Sequence, residues 1–351
     1  MRIVENVPLA PMTSFRLGGP ARRFVEVTSE DDLVGAVLAA DARAEPVFVL
    51  GGGSNVVVDD AGFGGLVVRV ASRGVEVLSS VGDTVRVRVA AGEPWDELVE
   101  RCAAEGWNGV ECLSGIPGLA GATPIQNVGA YGQEVAQTIE EVRVLDRRAK
   151  LVSTMRGDEC RFSYRGSLFK NDARFVVLGA TFAFGASRES TPLRYAELTR
   201  ALGLTEGGRA PLTEVRRVVV SLRRAKGMVL DPSDPDSVSA GSFFVNPVLD
   251  ASALAELEER LAARGLDAQA MPRFPEPGAR TKVPAAWLIE RAGFAKGWGE
   301  GKVGISRKHA LALVNRGGAT AREVLDAAGR IERGVKDAFG VALAREPVLV
   351  G

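Results

Sequence analysis

The 351-residue sequence is 46% hydrophobic and 25% charged, with 44 basic side chains balanced by 44 acidic ones. That balance leaves no bulk field to draw nucleic acid or an anionic membrane, and no apolar run approaches the roughly 18 residues that span a bilayer. The length suggests two or three domains, each with its own core.

The three cysteines, Cys102, Cys112 and Cys160, are odd in number and lack metal-ligand spacing, and Met1–Asn6 lacks the apolar core of a signal peptide. A soluble cytoplasmic protein with reduced thiols and no metal is expected. With a single histidine, His309, a Ser-His-Asp triad or a multi-histidine metal site would have to be built on that one residue.

In chain order, Phe24–Val27 reads as a short strand, and Ser29 caps a helix with Leu33, Val37 and Ala40 on one face. Pro46–Leu50 is an apolar strand running into Gly51, Gly52, Gly53, Ser54 and Asn55, with another strand at Val56–Val58. A strand after the glycines differs from a Rossmann entry, where a helix follows. Alone, the turn reads either as a plain connection or as a ligand cradle. Gly65–Val70 and Thr84–Ala90 are strands. A helix follows with Pro94 in its first turn and Leu98, Val99 and Cys102 inward. Mixed strands and helices make the class α+β, with a boundary near 71–75.

Residues 111–135 then break every regular period. Gly115, Gly118, Gly121, Gly129 and Gly132 alternate with small or apolar residues, including Ser114, Ile116, Pro117 and Ala122. Solvated loops are not usually built this way. Such glycines let backbone come close to a flat or phosphorylated ligand, and successive N–H groups can hold an anion. A tight buried crossover is the alternative.

Strands are expected at 140–146, 151–154 and 173–184, around a polar-aromatic turn at 162–170 that holds Tyr164, Arg165 and Lys170. Residues 193–199 read as the start of a helix. Val215–Leu222 is helical with a basic end at Arg223–Lys226, where a helix C-terminus favours cations. Asp231–Asp236 reads as a linker. Ser242, with Gly241 before it and two phenylalanines after, is not a nucleophile elbow, since no Gly-x-Ser-x-Gly exists; by itself it is a buried turn serine. Leu254, Leu257 and Leu261 mark an amphipathic helix, and 271–275 a loop. His309 is either a strand-entry histidine or a phosphate contact. Thr320 caps a last helix with Val324, Ile331, Val335 and Phe339 inward, and 341–350 is a final strand in which Glu346 reads as a surface carboxylate.

The runs Ser114-Gly-Ile-Pro-Gly118 and Pro124-Ile-Gln-Asn-Val-Gly-Ala-Tyr-Gly132, with Tyr164-Arg165, Gly241-Ser-Phe-Phe-Val-Asn-Pro247 and Glu346, resemble the UDP-N-acetylenolpyruvoylglucosamine reductase family over nearly the whole chain. The resemblance implies a two-lobed FAD-binding domain of the vanillyl-alcohol-oxidase/PCMH type plus a C-terminal α+β substrate-binding domain. The expected divisions are 1–75 and 76–225 for the two lobes and 226–340 for the substrate domain, with 341–351 returning to the first lobe.

By the same resemblance, non-covalent FAD is held by Gly51, Gly52, Gly53, Ser54 and Asn55 and by Ser114, Ile116, Pro117, Gly121, Ala122, Asn127, Gly129, Ala130 and Arg223. Tyr131, Tyr164, Tyr195, Lys226, Asn246, Lys296 and His309 bind substrate, Tyr195 from a mobile loop. Arg165, Ser242 and Glu346 are catalytic. The implied reaction reduces UDP-N-acetylglucosamine enolpyruvate to UDP-N-acetylmuramate with NADPH, in peptidoglycan precursor synthesis, by a monomer. Val245 stands where a lysine is frequent and Phe274 where tyrosine is. Arg345 and Pro347 flank Glu346 where many members carry an acid and no proline. Two other readings are a flavin-dependent oxidase of the same fold and a non-catalytic flavin or sugar-nucleotide binder.

Overall fold

Val85, Val87 and Val89 alternate with Thr84, Arg86 and Arg88, so three valines line the buried face of strand Thr84–Ala90. That strand lies inside an antiparallel sheet ordered Leu151–Arg156, Ile139–Asp146, Phe175–Ala186, Thr84–Ala90, Val75–Val81. The computed structural model describes residues 2–351 and divides into two compact units, one of 21–53 and 63–229 with the N-terminal residues to 7, the other of 8–20, 54–62 and 230–351.

The first unit carries two large sheets and a minimal two-stranded one. The smaller of the two large sheets runs Val4–Pro8, Pro20–Val27, Phe63–Val70, Val47–Leu50, with its last two pairings parallel. Helix α1 (Glu30–Asp41) buries Leu33, Ala36, Val37 and Ala40 in a core with Val25, Val27, Leu66 and Val68, and the Ser29 side chain accepts from the Asp32 N–H at its start. Strand Phe63–Val70 of the smaller sheet is followed in the chain by strand Val75–Val81 of the larger one. Helix α2 (Trp95–Glu105) sets Trp95, Leu98, Val99 and Cys102 against Phe182 and Phe184. Pro94 precedes this helix as its N-cap instead of entering its first turn, its ψ of 127° lying outside the helical range. Helices α3 (Ala196–Ala201) and α4 (Leu212–Ala225) share a further core built on Leu198, Val215 and Val219.

The second unit packs α5 (Ala251–Ala263), α6 (Ala285–Arg291) and α7 (Ala321–Phe339) around Phe15, Phe243, Phe244, Leu257, Leu288 and Ile331. At α7 the Thr320 hydroxyl accepts from the Glu323 N–H and the Glu323 carboxylate accepts from the Thr320 N–H, a reciprocal cap. Asp60 adds two more acceptors, to the N–H groups of Ala321 and Arg322.

Two sequence expectations change here. The stretch at 271–275 is not simply a loop, because Phe274–Glu276 pairs with Arg280–Lys282 as a short hairpin. The terminal strand is two pieces: Ala344–Arg345 runs antiparallel to Phe244–Val245, and Val348–Val350 runs parallel to Val56–Val58. Pro347 has no N–H for a ladder, so the chain changes partner there. No helix among the described residues is long and apolar enough to cross a membrane.

Candidate functional site

In the first unit the two glycine turns touch. Strand Val47–Leu50 delivers Gly51, Gly52 and Gly53, and a methyl group added at Gly52 would stand 2.8 Å from the Gly118 Cα. No side chain fits that approach, so the turns form a backbone-lined cradle. Gly121 is closed in likewise: its N–H donates to the Ala91 carbonyl, and an added Cβ would lie 2.5 Å from that of Ala91. Ser114 is fully buried with its hydroxyl on the Glu111 carbonyl, Ile116 packs on the sheet core, Pro117 is half-buried and Ala122 is exposed.

Asn127, left-handed and 1% exposed, splices the far end of this loop. Its Nδ2 donates to Glu134 and to the Ser163 carbonyl, and its Oδ1 accepts from the Ala136 N–H. Gly129 and Ala130 pair with Glu134 and Gln133 as a minimal hairpin.

Ser163 and Gly166 exchange both backbone hydrogen bonds, making Tyr164 and Arg165 the two residues of a tight turn. Arg165 takes the left-handed position at φ 54°, unusual for a side-chain-bearing residue. Its guanidinium donates to the Gly129 carbonyl at 2.7 Å and lies over the Tyr164 ring, while Lys170 Nζ holds the Arg165 carbonyl. The arginine is thereby fixed beside the glycine loop.

Two cations from the end of α4 complete this half. Arg223 is half-buried overall, yet its Nε is shut from solvent and finds no hydrogen-bond partner among the described residues, while its terminal nitrogen donates to the Met228 carbonyl. Burial weakens its hold on its proton, to about 10, against the pull of Tyr131 and Asp96; it stays charged at neutral pH. Lys226 Nζ pairs with Glu197 and lies over the Tyr131 ring, which meets the Tyr195 ring edge-on at 5.3 Å. Burial pushes the Tyr131 phenol up to about 12 and raises that of Tyr195.

The second unit brings another set together. Phe243 and Phe244, both buried, anchor the strand that Ser242 precedes, and the Phe243 N–H donates to the Leu311 carbonyl. The Glu346 N–H donates to the Phe243 carbonyl at 2.9 Å, so Ser242 and Glu346 sit on neighbouring backbones. Asn55 clasps the same bend, its Nδ2 donating to the Glu346 carbonyl and its own carbonyl accepting from the Val348 N–H. Ser54 and Asn55 thus fold with this unit, whereas Gly51–Gly53 fold with the first. Asn246 Oδ1 accepts from the Ala285 N–H, capping α6. Lys296 is exposed. The next residue, Gly297, donates to the Ser306 carbonyl, and the Ser306 hydroxyl accepts from the His309 N–H, so Lys296 and the half-buried His309 stand on adjoining turns.

Three further acids, Asp96, Glu111 and Glu197, belong to no motif of the sequence. Asp96 accepts from the Gly115 N–H and pairs with Arg216; burial alone would raise its carboxyl pKa, and these partners outweigh that and lower it. Glu111, 2% exposed, accepts from the N–H groups of Gly109 and Thr191 and ties the start of the loop to the segment at 191. Glu197 holds Lys226. In sequence they look like ordinary helix-start or surface acids; the one available signal is that Glu111 stands in an otherwise apolar run.

Residues 232–350 match the family model for the C-terminal domain of UDP-N-acetylenolpyruvoylglucosamine reductase, and residues 21–155 match that of an FAD-binding domain. The UDP-N-acetylenolpyruvoylglucosamine reductase of Thermobifida fusca (strain YX) is 52% identical over 347 residues, 99% of this chain and 98% of its own length. That of Salinispora arenicola (strain CNS-205) is 53% identical over 345 residues, 97% of this chain and 94% of its own. The crystal structure of the reductase from Thermus caldophilus aligns with a TM-score of 0.65 at 25% identity, covering both chains in full.

Proposed function

The chain belongs to the UDP-N-acetylenolpyruvoylglucosamine reductase family, an oxidoreductase with an FAD-binding domain, and on that premise we propose that it reduces UDP-N-acetylglucosamine enolpyruvate to UDP-N-acetylmuramate with electrons from NADPH. FAD fits the residues present. Gly51–Gly53 and Gly118 supply a backbone-lined cradle, and the buried Nε of Arg223, without a hydrogen-bond partner among the described residues, is a donor suited to a flavin or phosphate acceptor. Ser114, Ile116, Pro117, Gly121, Ala122, Asn127, Gly129 and Ala130 extend this proposed cofactor surface, and the family resemblance assigns Ser54 and Asn55 to FAD as well.

The chemistry that FAD supplies when bound is hydride transfer from NADPH to C3 of the enolpyruvyl group. Charge then grows on the substrate carboxylate as an enolate. Arg165, a permanently charged fork held by the Gly129 carbonyl, stabilises that charge where it develops. Ser242 donates the proton that C2 takes up. Glu346 assists as a protonated or cation-paired group, since a bare carboxylate opposes an enolate. Lys226 and Lys296 meet phosphate, Tyr131, Tyr164, Asn246 and His309 bind the sugar nucleotide, and Tyr195 closes over it from its segment. The reading also makes the protein a cytoplasmic monomer.

The single observation that carries the reading is the convergence of Ser242 and Glu346, 104 residues apart in sequence by their numbering, on one backbone hydrogen bond at Phe243. A binder of flavin alone needs no such pairing. Ser242→Ala tests it: flavin reduction by NADPH stays at the wild-type rate while reduction of the enolpyruvyl sugar falls about 10²–10⁴-fold. Equal loss of both half-reactions would sink the proton-donor role.

A further inference from the structure

Lys226, the C-cap of α4, already holds an anion of the chain's own. Its Nζ pairs with the Glu197 carboxylate at 2.5 Å and lies 5.5 Å from the centre of the Tyr131 ring. Glu197 stands in the first turn of α3, whose N-cap is Tyr195, and the N–H groups of Leu198 and Thr199 donate to the Tyr195 carbonyl. Tyr195 and Glu197 are therefore parts of one short helical turn. The Tyr195 ring in turn meets Tyr131 edge-on at 5.3 Å. Lys226, Glu197, Tyr195 and Tyr131 form a closed circuit drawn from three separate segments of the first unit.

We propose that Glu197 is a positioning residue for the reaction: it occupies Lys226 as a stand-in anion, and a nucleotide diphosphate displaces it, releasing the turn that carries Tyr195. This rests on the reading that Lys226 meets the phosphates of the sugar nucleotide. The pair suits exchange. Its side chains keep 30% and 38% of their exposure, and a water-exposed pair of single charges is weak. A diphosphate brings more charge and more acceptor oxygens to the same ammonium group. Once it arrives, the Glu197 carboxylate faces a like charge and lets go of Lys226, and the short turn built on Tyr195 is freed to close over the nucleotide. Glu197 thus sets both the affinity for the anion and the coupling between its binding and the movement of Tyr195.

The test titrates UDP into the oxidised, flavin-loaded full-length protein by calorimetry, for the wild type, Glu197→Gln, Lys226→Ala and the double variant, at low and high salt. Steady-state KM and kcat for the enolpyruvyl sugar nucleotide are measured beside it. Glu197 is partly exposed and at a surface helix, so its amide variant folds. The expected result is UDP binding about fivefold tighter in Glu197→Gln at low salt, a KM lowered by more than any change in kcat, and a gain that shrinks as salt screens it. In the Lys226→Ala background the Glu197 change has no effect. If Lys226→Ala weakens UDP while Glu197→Gln leaves it equal or weaker, the role of Glu197 is overturned and the reading of Lys226 stands. If Lys226→Ala leaves UDP binding unchanged, the reading of Lys226 falls and this proposal with it.

Discussion

The N–H of Glu346 donates to the carbonyl of Phe243 at 2.9 Å, and this one bond sets the terminal carboxylate beside the Ser242 turn. The bend is braced from behind, where Arg345 makes a two-pronged ion pair with Glu332 on α7. Arg345→Gln removes that brace. It should lower stability by about 1 kcal/mol, as expected for a partly exposed bidentate pair, and slow reduction of the enolpyruvyl sugar while NADPH still bleaches the flavin. Thermal unfolding and the two half-reactions, measured separately, check both parts.

The contact between Gly52 and Gly118 makes a second prediction. A methyl at 52 would stand 2.8 Å from backbone that cannot swing aside. Gly52→Ala should cost about 1–3 kcal/mol, as other overpacked sites do, and the purified protein should lose its yellow colour. Retention of FAD at wild-type stoichiometry would show that the cradle is not where the cofactor lies.

Arg223 separates ligand binding from folding. Its Nε is buried with no hydrogen-bond partner among the described residues, which costs folding free energy. Replacing it with methionine, of similar length and no charge, should leave the apo-protein as stable or more so, and should weaken FAD by at least about tenfold. Fluorescence titration of FAD into apo-protein and thermal unfolding of the same sample give the two numbers. A variant that unfolds more easily but binds FAD normally would assign Arg223 to structure.

Alkaline pH gives a fourth. Burial raises the Tyr131 phenol from 10.0 to about 12 and pushes the Cys102 and Cys112 thiols above their ordinary 9.0. All three are neutral below those ordinary values in folded and unfolded chains alike, so they leave stability flat there. Above pH 9 the unfolded chain loses these protons first, and stability falls as pH rises toward 12. Tyr131→Phe should reduce the slope above pH 10 and leave the region below pH 9 unchanged in a denaturant series.

Much of the local structure could be read directly. Ser29 and Thr320 cap the helices their patterns announce, and the valine alternation of Thr84–Ala90 is a buried face. The strand Val75–Val81 escaped because its sides are exposed or half-exposed throughout, leaving no alternation to detect. Pro347 marks in the sequence that the ladder is interrupted, but the partners on either side, Phe243 and Asn55, are distant in the chain and nothing local encodes them. The same holds for 54–62, which follows the glycine turn in sequence and folds with the second unit. Arg165, Ser242 and Glu346 stand in recognisable motifs, while Asp96, Glu111 and Glu197 are distinguished only by their partners, Gly115, Thr191 and Lys226.

The most direct measurement is anaerobic. NADPH is added until the flavin absorbance bleaches, and UDP-N-acetylglucosamine enolpyruvate follows. The yellow absorbance is expected to return in proportion to the sugar nucleotide added. A bleached protein that ignores this compound and recovers only on admitting air would contradict the proposed reaction and make the chain an oxidase.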